Sequence, residues 1–188
     1  MHARNDETDT REFLVDAANL DDKVKPRILD VCCGTGSVIL SFARRYLDGC
    51  AVGYDFSDGM LRKAQEKDPD KRVFFVEGDA AELPFSDSSF DVVVCSHALY
   101  ELKGQARKDA LFEMKRVVKS DGVVLIMEHE VPDHPFLKFL FNVRIIMIGF
   151  AETKDFVKAN LEPFKRVFPK VSQSHSISVK SRLVSCRK

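Results

Sequence analysis

Neither charge is in excess in this sequence: lysine plus arginine and aspartate plus glutamate balance at 29 each. Without a net field the chain has no general pull toward nucleic acid or an anionic membrane surface. A groove-binding nucleic-acid module reads more basic. The five cysteines form no C-x-x-C pair and share no spacing with histidine that suits a metal, which leaves buried, reduced thiols as the plain reading. The start, Met1 to Thr10, is polar and acidic, so it reads neither as a signal peptide nor as a membrane span. No repeat or low-complexity segment divides the 188 residues, which are the size of one domain. These absences point to a cytoplasmic protein with an ordinary core, since 45% of its residues are hydrophobic.

What is present is organised around Arg27–Ser37. A short β-branched and aliphatic run, Arg27 to Val31, reads as a buried strand and gives way to Cys32-Cys33-Gly34-Thr35-Gly36. Ser37 then opens an apolar segment, Val38 to Leu47, with helical spacing. A strand, a tight glycine turn and a helix open a nucleotide-binding βαβ unit. Glycines let a ligand approach the backbone closely, and the first amides of the helix point at whatever lies above the turn.

The rest of the chain continues the alternation. Residues 1–10 read as disordered and Thr10 to Leu20 as a short amphipathic helix, giving an N-terminal arm over 1–26 and a single domain over 27–188. Strands are predicted at Cys50–Asp55, Val73–Val76, Phe90–Cys95 and Val123–Met127. Ser57 caps a helix with Met60, Leu61 and Ala64 facing inward, ending at Asp68-Pro69. Gln105 to Val118 carries a helical stripe of Ala110, Leu111, Met114, Val117 and Val118, and Asp121-Gly122 reads as a turn. Asp155 to Phe164 reads as a short helix, and Val167–Val171 with Ser176–Cys186 as a closing hairpin-like pair. The fold class is therefore α/β: a doubly wound, mostly parallel sheet of seven strands with an antiparallel last strand.

In such sheets ligands bind at the carboxyl ends of the strands, beside the point where strand order reverses. At those ends stand the glycine turn, Asp55, Asp79 and Ser96-His97. Asp55 follows Gly36 by nineteen residues, the spacing at which a carboxylate reaches both hydroxyls of a ribose. Asp79, at the next strand end, can accept from an exocyclic amine. Taken singly, each acid is as well explained as a helix cap or turn residue. A dinucleotide calls for a third glycine where Ile39 stands, so a pyrophosphate cradle is disfavoured and a cofactor without phosphate fits better.

Ile28-Leu29-Asp30-Val31-Cys32-Cys33-Gly34-Thr35-Gly36 resembles the first motif of class I S-adenosylmethionine-dependent methyltransferases. It looks most like the branch that includes the ubiquinone and menaquinone C-methyltransferases. Val52 to Leu61 is similar to the second motif. Glu77 to Phe85 and Phe90 to Ser96 look like the third and fourth, and Glu113 to Gly122 occupies the place of the helix before the fifth strand. Together they cover about residues 27–130. The resemblance implies a Rossmann-like methyltransferase fold binding S-adenosyl-L-methionine. Asp30 and the backbone of Cys32, Cys33, Gly34, Thr35 and Gly36 would line the methionyl end. Asp55 would hold the ribose, Phe56 and Met60 would pack near the adenine, and Asp79 with the Ala80 amide would bind its amine. Cys95, Ser96 and His97 would border the methyl. Two positions depart from the family pattern. Cys32 stands where many members have a first glycine, although a Cys-Cys-Gly-Thr form occurs in the quinone branch. Ser120-Asp121 replaces a Pro-Gly turn.

A general base is needed only for a protonated acceptor, and the candidates at this edge are His97, Tyr100, His129 and Glu130. His97 directly follows the fourth strand and ranks first. The competing reading makes it a loop histidine that packs on the cofactor without moving a proton. The acceptor is expected to be small and apolar or aromatic. The stretch before the first motif is shorter than in the quinone enzymes, at 26 residues, which tells against a quinone itself. Pro135 to Phe150 is apolar on almost every side yet short of the roughly 20 residues that span a bilayer. It reads as a core helix, a homodimer seam, an acceptor-pocket wall or a peripheral membrane contact. Two rival functions stay open: a non-catalytic partner protein that binds S-adenosylmethionine, and an NAD-binding oxidoreductase.

Overall fold

A computed structural model describes residues 2–20, 25–129, 159–175 and 181–188; its side-chain description begins at residue 10 and omits residue 129. Strand β1 (Arg27–Val31) sits at the centre, and its side chains alternate between two apolar layers. Leu29 and Val31 enter one layer, Ile28 the other. By the same alternation Asp30 faces the layer of Ile28.

The sheet has seven strands in the order β3-β2-β1-β4-β5-β7-β6, with β2 (Cys50–Asp55), β3 (Val73–Glu77), β4 (Phe90–Ser96), β5 (Val118–His129), β6 (Lys170–His175) and β7 (Ser181–Arg187). Strands β1 to β5 pair in parallel, β7 runs antiparallel to β5, and β6 runs antiparallel to β7. Strand order reverses between β1 and β4, so the ligand crevice of the fold opens above their carboxyl ends. The doubly wound sheet and its closing antiparallel pair agree with the sequence expectation.

On one face lie α1 (His2–Ala18) and α2 (Ser37–Arg45), whose Leu14, Val15, Ala18, Ile39, Leu40 and Phe42 join the layer of Ile28. On the other lie α4 (Gly104–Val117) and the short α5 (Glu162–Lys165). Ala110, Leu111, Met114 and Phe164 fill the layer of Leu29 there. Helix α3 (Asp58–Glu66) buries Leu61 and Ala64 and is capped by Ser57, which accepts from the Met60 amide.

Several boundaries differ from the sequence reading. Helix α1 begins at His2 instead of Thr10. Once Phe13–Ala18 dock on α2, adding helical residues at the amino end needs no new nucleation. The turn read at Asp121-Gly122 lies inside β5: Phe90 pairs with Val118 but Val92 with Val123, so 119–122 form an irregularity within one strand. Lys119 fastens it by an ion pair of 2.9 Å to Asp91. Strand β6 starts later than predicted, at Lys170, and the first five residues of the strand read at Ser176–Cys186 lie outside the described residues. Pro135–Phe150, Glu130 and the first four residues of the helix read at Asp155–Phe164 lie outside the described residues; of the remainder only Glu162–Lys165 is helical. Among the described residues no helix is long and apolar enough to cross a membrane.

Candidate active site

The loop between β1 and α2 fixes the site. Cys32, Gly34 and Gly36 all have positive φ, at 57°, 54° and 73°. At Gly36 a Cβ would lie 2.9 Å from the Ala64 Cβ and 3.1 Å from the Phe75 ring, so α3 and β3 can close on the loop only over a glycine. At Gly34 a Cβ would meet nothing within 4 Å: it would project into the open space a ligand would enter. Cys32 takes the left-handed conformation with a side chain attached, which costs strain. The loop is tied down by the Cys33 amide on the Tyr54 carbonyl at 3.0 Å, and by Lys67, whose Nζ donates to the Thr35 carbonyl at 3.1 Å and to its Oγ1 at 2.7 Å.

Beneath the loop, Asp30 is 1% exposed and its Oδ2 has no hydrogen-bond partner. Its other anchor is the amide of Ile39 in α2. Burial pushes the carboxyl up to about 8, and nearby Asp55 adds to the rise. A buried carboxyl with one oxygen unpaired, under an open turn, suits a cationic group arriving from above.

Asp55 ends β2 and holds two amides, Gly34 N–H on Oδ2 at 2.8 Å and Ser57 N–H on Oδ1 at 2.9 Å. It therefore braces the glycine turn. Asp79 follows β3, and its Oδ1 accepts from the Ala81 amide at 2.9 Å. Tyr54 donates to the Asp79 carbonyl at 3.3 Å, and Ala80 is buried beside it. Farther along the same loop, Arg116 donates to the Leu83 and Phe85 carbonyls at 2.9 and 2.7 Å and is ion-paired with Glu113 and Asp87. Glu113 in turn receives the Leu83 amide, and the Arg116 bonds hold its carboxyl below the usual range.

Two expectations are corrected. Met60 does not face inward: it is 41% exposed and Phe56 is 78% exposed, because only Leu61 and Ala64 of α3 reach the sheet. Both are surface groups flanking Asp55. Cys95 is fully buried behind Cys32, and a hydrogen bond with the Cys32 thiol raises its pKa, so Cys95 backs the loop instead of lining the crevice. Ser96 remains half-buried at the end of β4.

His97 leaves β4 with φ 53°, and its amide donates to the Met127 carbonyl at 2.7 Å. Thus Cys32 and His97, both in the left-handed region, end the two central strands at the reversal point. The His97 Nε2 lies 3.4 Å from Ser181 Oγ on β7. Tyr100 belongs to the same loop through its backbone: its carbonyl accepts from Arg107 at 3.2 Å. His129 ends β5 opposite Ser181 in register.

The sequence reading overlooked Glu128 and Arg107. Glu128 is 3% exposed, and alternation along β5 turns it toward the layer of Val124 and Ile126, where α4 lies. Arg107 stands three residues before Ala110 and so extends the buried stripe of α4. A charge on an apolar helix stripe was the available signal for Arg107, whereas Glu128, followed by His129 and Glu130, reads as the polar end of a strand. Lys67 and Ser181 carried none.

The doubly wound sheet with its closing antiparallel pair is the fold of class I methyltransferases. Residues 28–122 match the family described as the methyltransferase domain, and the chain belongs to that family. A demethylmenaquinone methyltransferase of Roseiflexus sp. (strain RS-1) is 38% identical over 112 residues, which is 60% of this chain and 46% of that protein. The chain spans about half the length of the curated relatives it matches. A TehB-like SAM-dependent methyltransferase from Corynebacterium glutamicum superposes with a TM-score of 0.64 at 19% identity, over 95% of this chain and 86% of that one. The [4+2]-cyclase SpnF gives 0.63 at 19%, over 95% and 80%. Both likenesses are of fold alone.

S-adenosylmethionine is the cofactor of this family, and the residues present fit it. The unpaired Asp30 oxygen, the space above Gly34 and the lack of a third glycine at Ile39 suit an amino-acid moiety better than a pyrophosphate.

Proposed function

We propose that this chain transfers the methyl group of S-adenosylmethionine to a small, apolar or aromatic acceptor. The observation that carries this reading is the buried, half-satisfied Asp30 beneath a turn opened by Gly34 and braced by Asp55, at the reversal point of the sheet. Asp30 would hold the ammonium, Asp55 the ribose and Asp79 the adenine amine. Phe56 and Met60, exposed beside Asp55, would cover the adenine. The cofactor, when bound, supplies a methyl already activated on a sulfonium.

The protein's own task is then alignment, which contributes roughly 7–11 kcal/mol in favourable cases. Cys32 and Ser96 border the position of the methyl, with Cys95 behind. His97 would accept a proton from the acceptor atom, a role worth about 10²–10⁴-fold. Its strained backbone, fixed to Met127, supports that assignment: strain of this kind persists where the surroundings over-determine it. The names of the relatives and the apolar run Pro135–Phe150 favour an apolar acceptor.

SpnF has this fold and is named a cyclase, so the activity is to be tested directly. The test is a screen of quinols, lipids, thiols and small amines, reading S-adenosylhomocysteine release. Methyl transfer to an apolar acceptor is expected, with His97→Gln lowering kcat by about 10²-fold at unchanged S-adenosylhomocysteine affinity. Calorimetric binding of NAD without S-adenosylhomocysteine would sink the reading. An unimpaired His97→Gln enzyme would remove His97 as base.

A further inference from the structure

Glu128 has no part in the scheme above, yet it occupies an unusual position. It lies one residue beyond Met127, whose carbonyl receives the His97 amide, and is 3% exposed. Its carboxylate accepts the backbone amide of Tyr100, and its Oε1 has no hydrogen-bond partner. Arg182 is its direct cross-strand neighbour on β7. Arg107, from α4, attracts the same carboxylate and donates Nε to the Leu99 carbonyl at 3.1 Å and Nη2 to that of Tyr100 at 3.2 Å. The loop 97–103 is thus held by one acid and one base that also face each other. Leu99, fully buried, is the apolar peg of this loop.

We propose that Glu128 is a positioning residue: its carboxylate, flanked by Arg107 and Arg182, holds the loop 97–103 and so sets where His97 stands at the carboxyl edge of the sheet. The proposal deepens the methyltransferase reading and rests on it for the meaning of His97, though not for the contacts themselves. Protonation of Glu128 weakens its hold on the Tyr100 amide and both guanidinium attractions at once. The charged and titratable groups facing Glu128 are Arg182 from β7, Arg107 from α4, Glu101 from the loop and Cys95 from β4. Burial outweighs the two arginines and lifts the carboxyl to about 8, so its charge changes within an accessible pH range. The loop is held on the alkaline side of that point.

The experiment uses the full chain without cofactor. Amide spectra of Leu99, Tyr100 and Glu101, with the imidazole signal of His97, are followed from about pH 6.5 to 9.5. A common inflection at the loop amides is expected in the native protein and absent in Glu128→Gln. An inflection that persists in Glu128→Gln, or loop amides that never titrate in the native chain, overturns the proposal. The second outcome is readable even if the variant fails to fold. Where an acceptor has been found, Glu128→Gln should lower kcat at least tenfold, keep S-adenosylhomocysteine affinity within threefold, and lose the rise in rate through the same pH interval. An unchanged rate profile also counts against it. Should no acceptor be methylated at all, the methyltransferase reading fails while the spectra still decide the contacts.

Discussion

The two halves of the sheet's carboxyl edge are built by different means. On the β1–β2–β3 side each functional residue is bound to backbone close to itself. Asp55 holds the amide two residues on and another in the adjacent glycine turn, and Asp79 holds the amide two residues on. On the β4–β5–β7 side the side chains meet from distant parts of the chain: His97 touches Ser181, 84 positions away, and Glu128 faces Arg182 across an antiparallel pair. The half assigned to the cofactor is a local device repeated at consecutive strand ends. The half assigned to the acceptor exists only once the closing strands have docked.

If that division is right, the largest effect comes from a single residue of the local device. Gly36→Val would put a β-branched side chain at φ 73°, against Ala64 and Phe75. Positional strain and overpacking together should cost about 2–4 kcal/mol of stability. S-adenosylhomocysteine affinity should fall by at least ~100-fold, a loss of about 2.7 kcal/mol. Gly34→Ala sharpens the comparison, because its methyl meets no protein atom within 4 Å. It should cost only about 1 kcal/mol of stability and about tenfold in affinity, since the methyl occupies space a ligand needs. Thermal melts and calorimetric titration separate the two; native affinity in Gly36→Val would break the assignment of this loop.

A middle-sized effect concerns one buried carboxyl in each half. Asp30 and Glu128 ordinarily ionise near 3.8 and 4.5, but burial lifts both to about 8 in the fold. Between those limits the folded chain keeps protons that the unfolded chain has released, so stability is fullest at low pH and is lost as pH rises through about 8. The midpoint of thermal unfolding should therefore fall steadily from about pH 5.5 to about 8 and level off above it. Asp30→Asn and Glu128→Gln should each remove part of the slope, and the double variant should flatten it. The halves part company in binding. Ionised Asp30 favours an ammonium, so S-adenosylhomocysteine should bind more tightly as pH rises toward about 8.5, a trend lost in Asp30→Asn and kept in Glu128→Gln.

The same division explains what could be read from the amino acids in order. The strand–turn–helix at Arg27–Arg45, the acids at 55 and 79 and the sheet class were legible because contiguous pattern and local hydrogen bonding produce them. Asp30 was legible as a position, but its unpaired oxygen depends on how α2 packs over β1. Glu128 was not legible: next to His129 and Glu130 it resembles the polar end of a strand, and only the docking of α4 and β7 buries it. Arg107 sat beside an apolar stripe whose period already included it. The inward reading of Met60 failed because α3 is short and only two of its residues touch the sheet. The bounds of β6 shifted because polar sequence such as Lys170–His175 is held as strand by pairing with β7, a partner no local pattern specifies.

The smallest effect should come from the weakest long-range contact. Ser181 is buried, and its Oγ stands 3.4 Å from His97 Nε2, at the far limit of a hydrogen bond. Replacing it by alanine removes a group that favours one orientation and tautomer of the imidazole. Because the His97 backbone stays fixed to Met127, the ring loses a preference and keeps its place. Ser181→Ala should change stability by about 0.5–1.5 kcal/mol and lower kcat/KM by roughly two- to fivefold, about 0.4–1 kcal/mol of transition-state stabilisation, with S-adenosylhomocysteine affinity untouched. A loss above 10²-fold would mean that the hydroxyl touches the acceptor itself. An unaltered His97 titration would mean that the two side chains do not interact in solution. A small, measurable shift is the signature of an edge assembled from many weak, distant contacts, whereas the glycine turn opposite concentrates its effect at one closed position, Gly36.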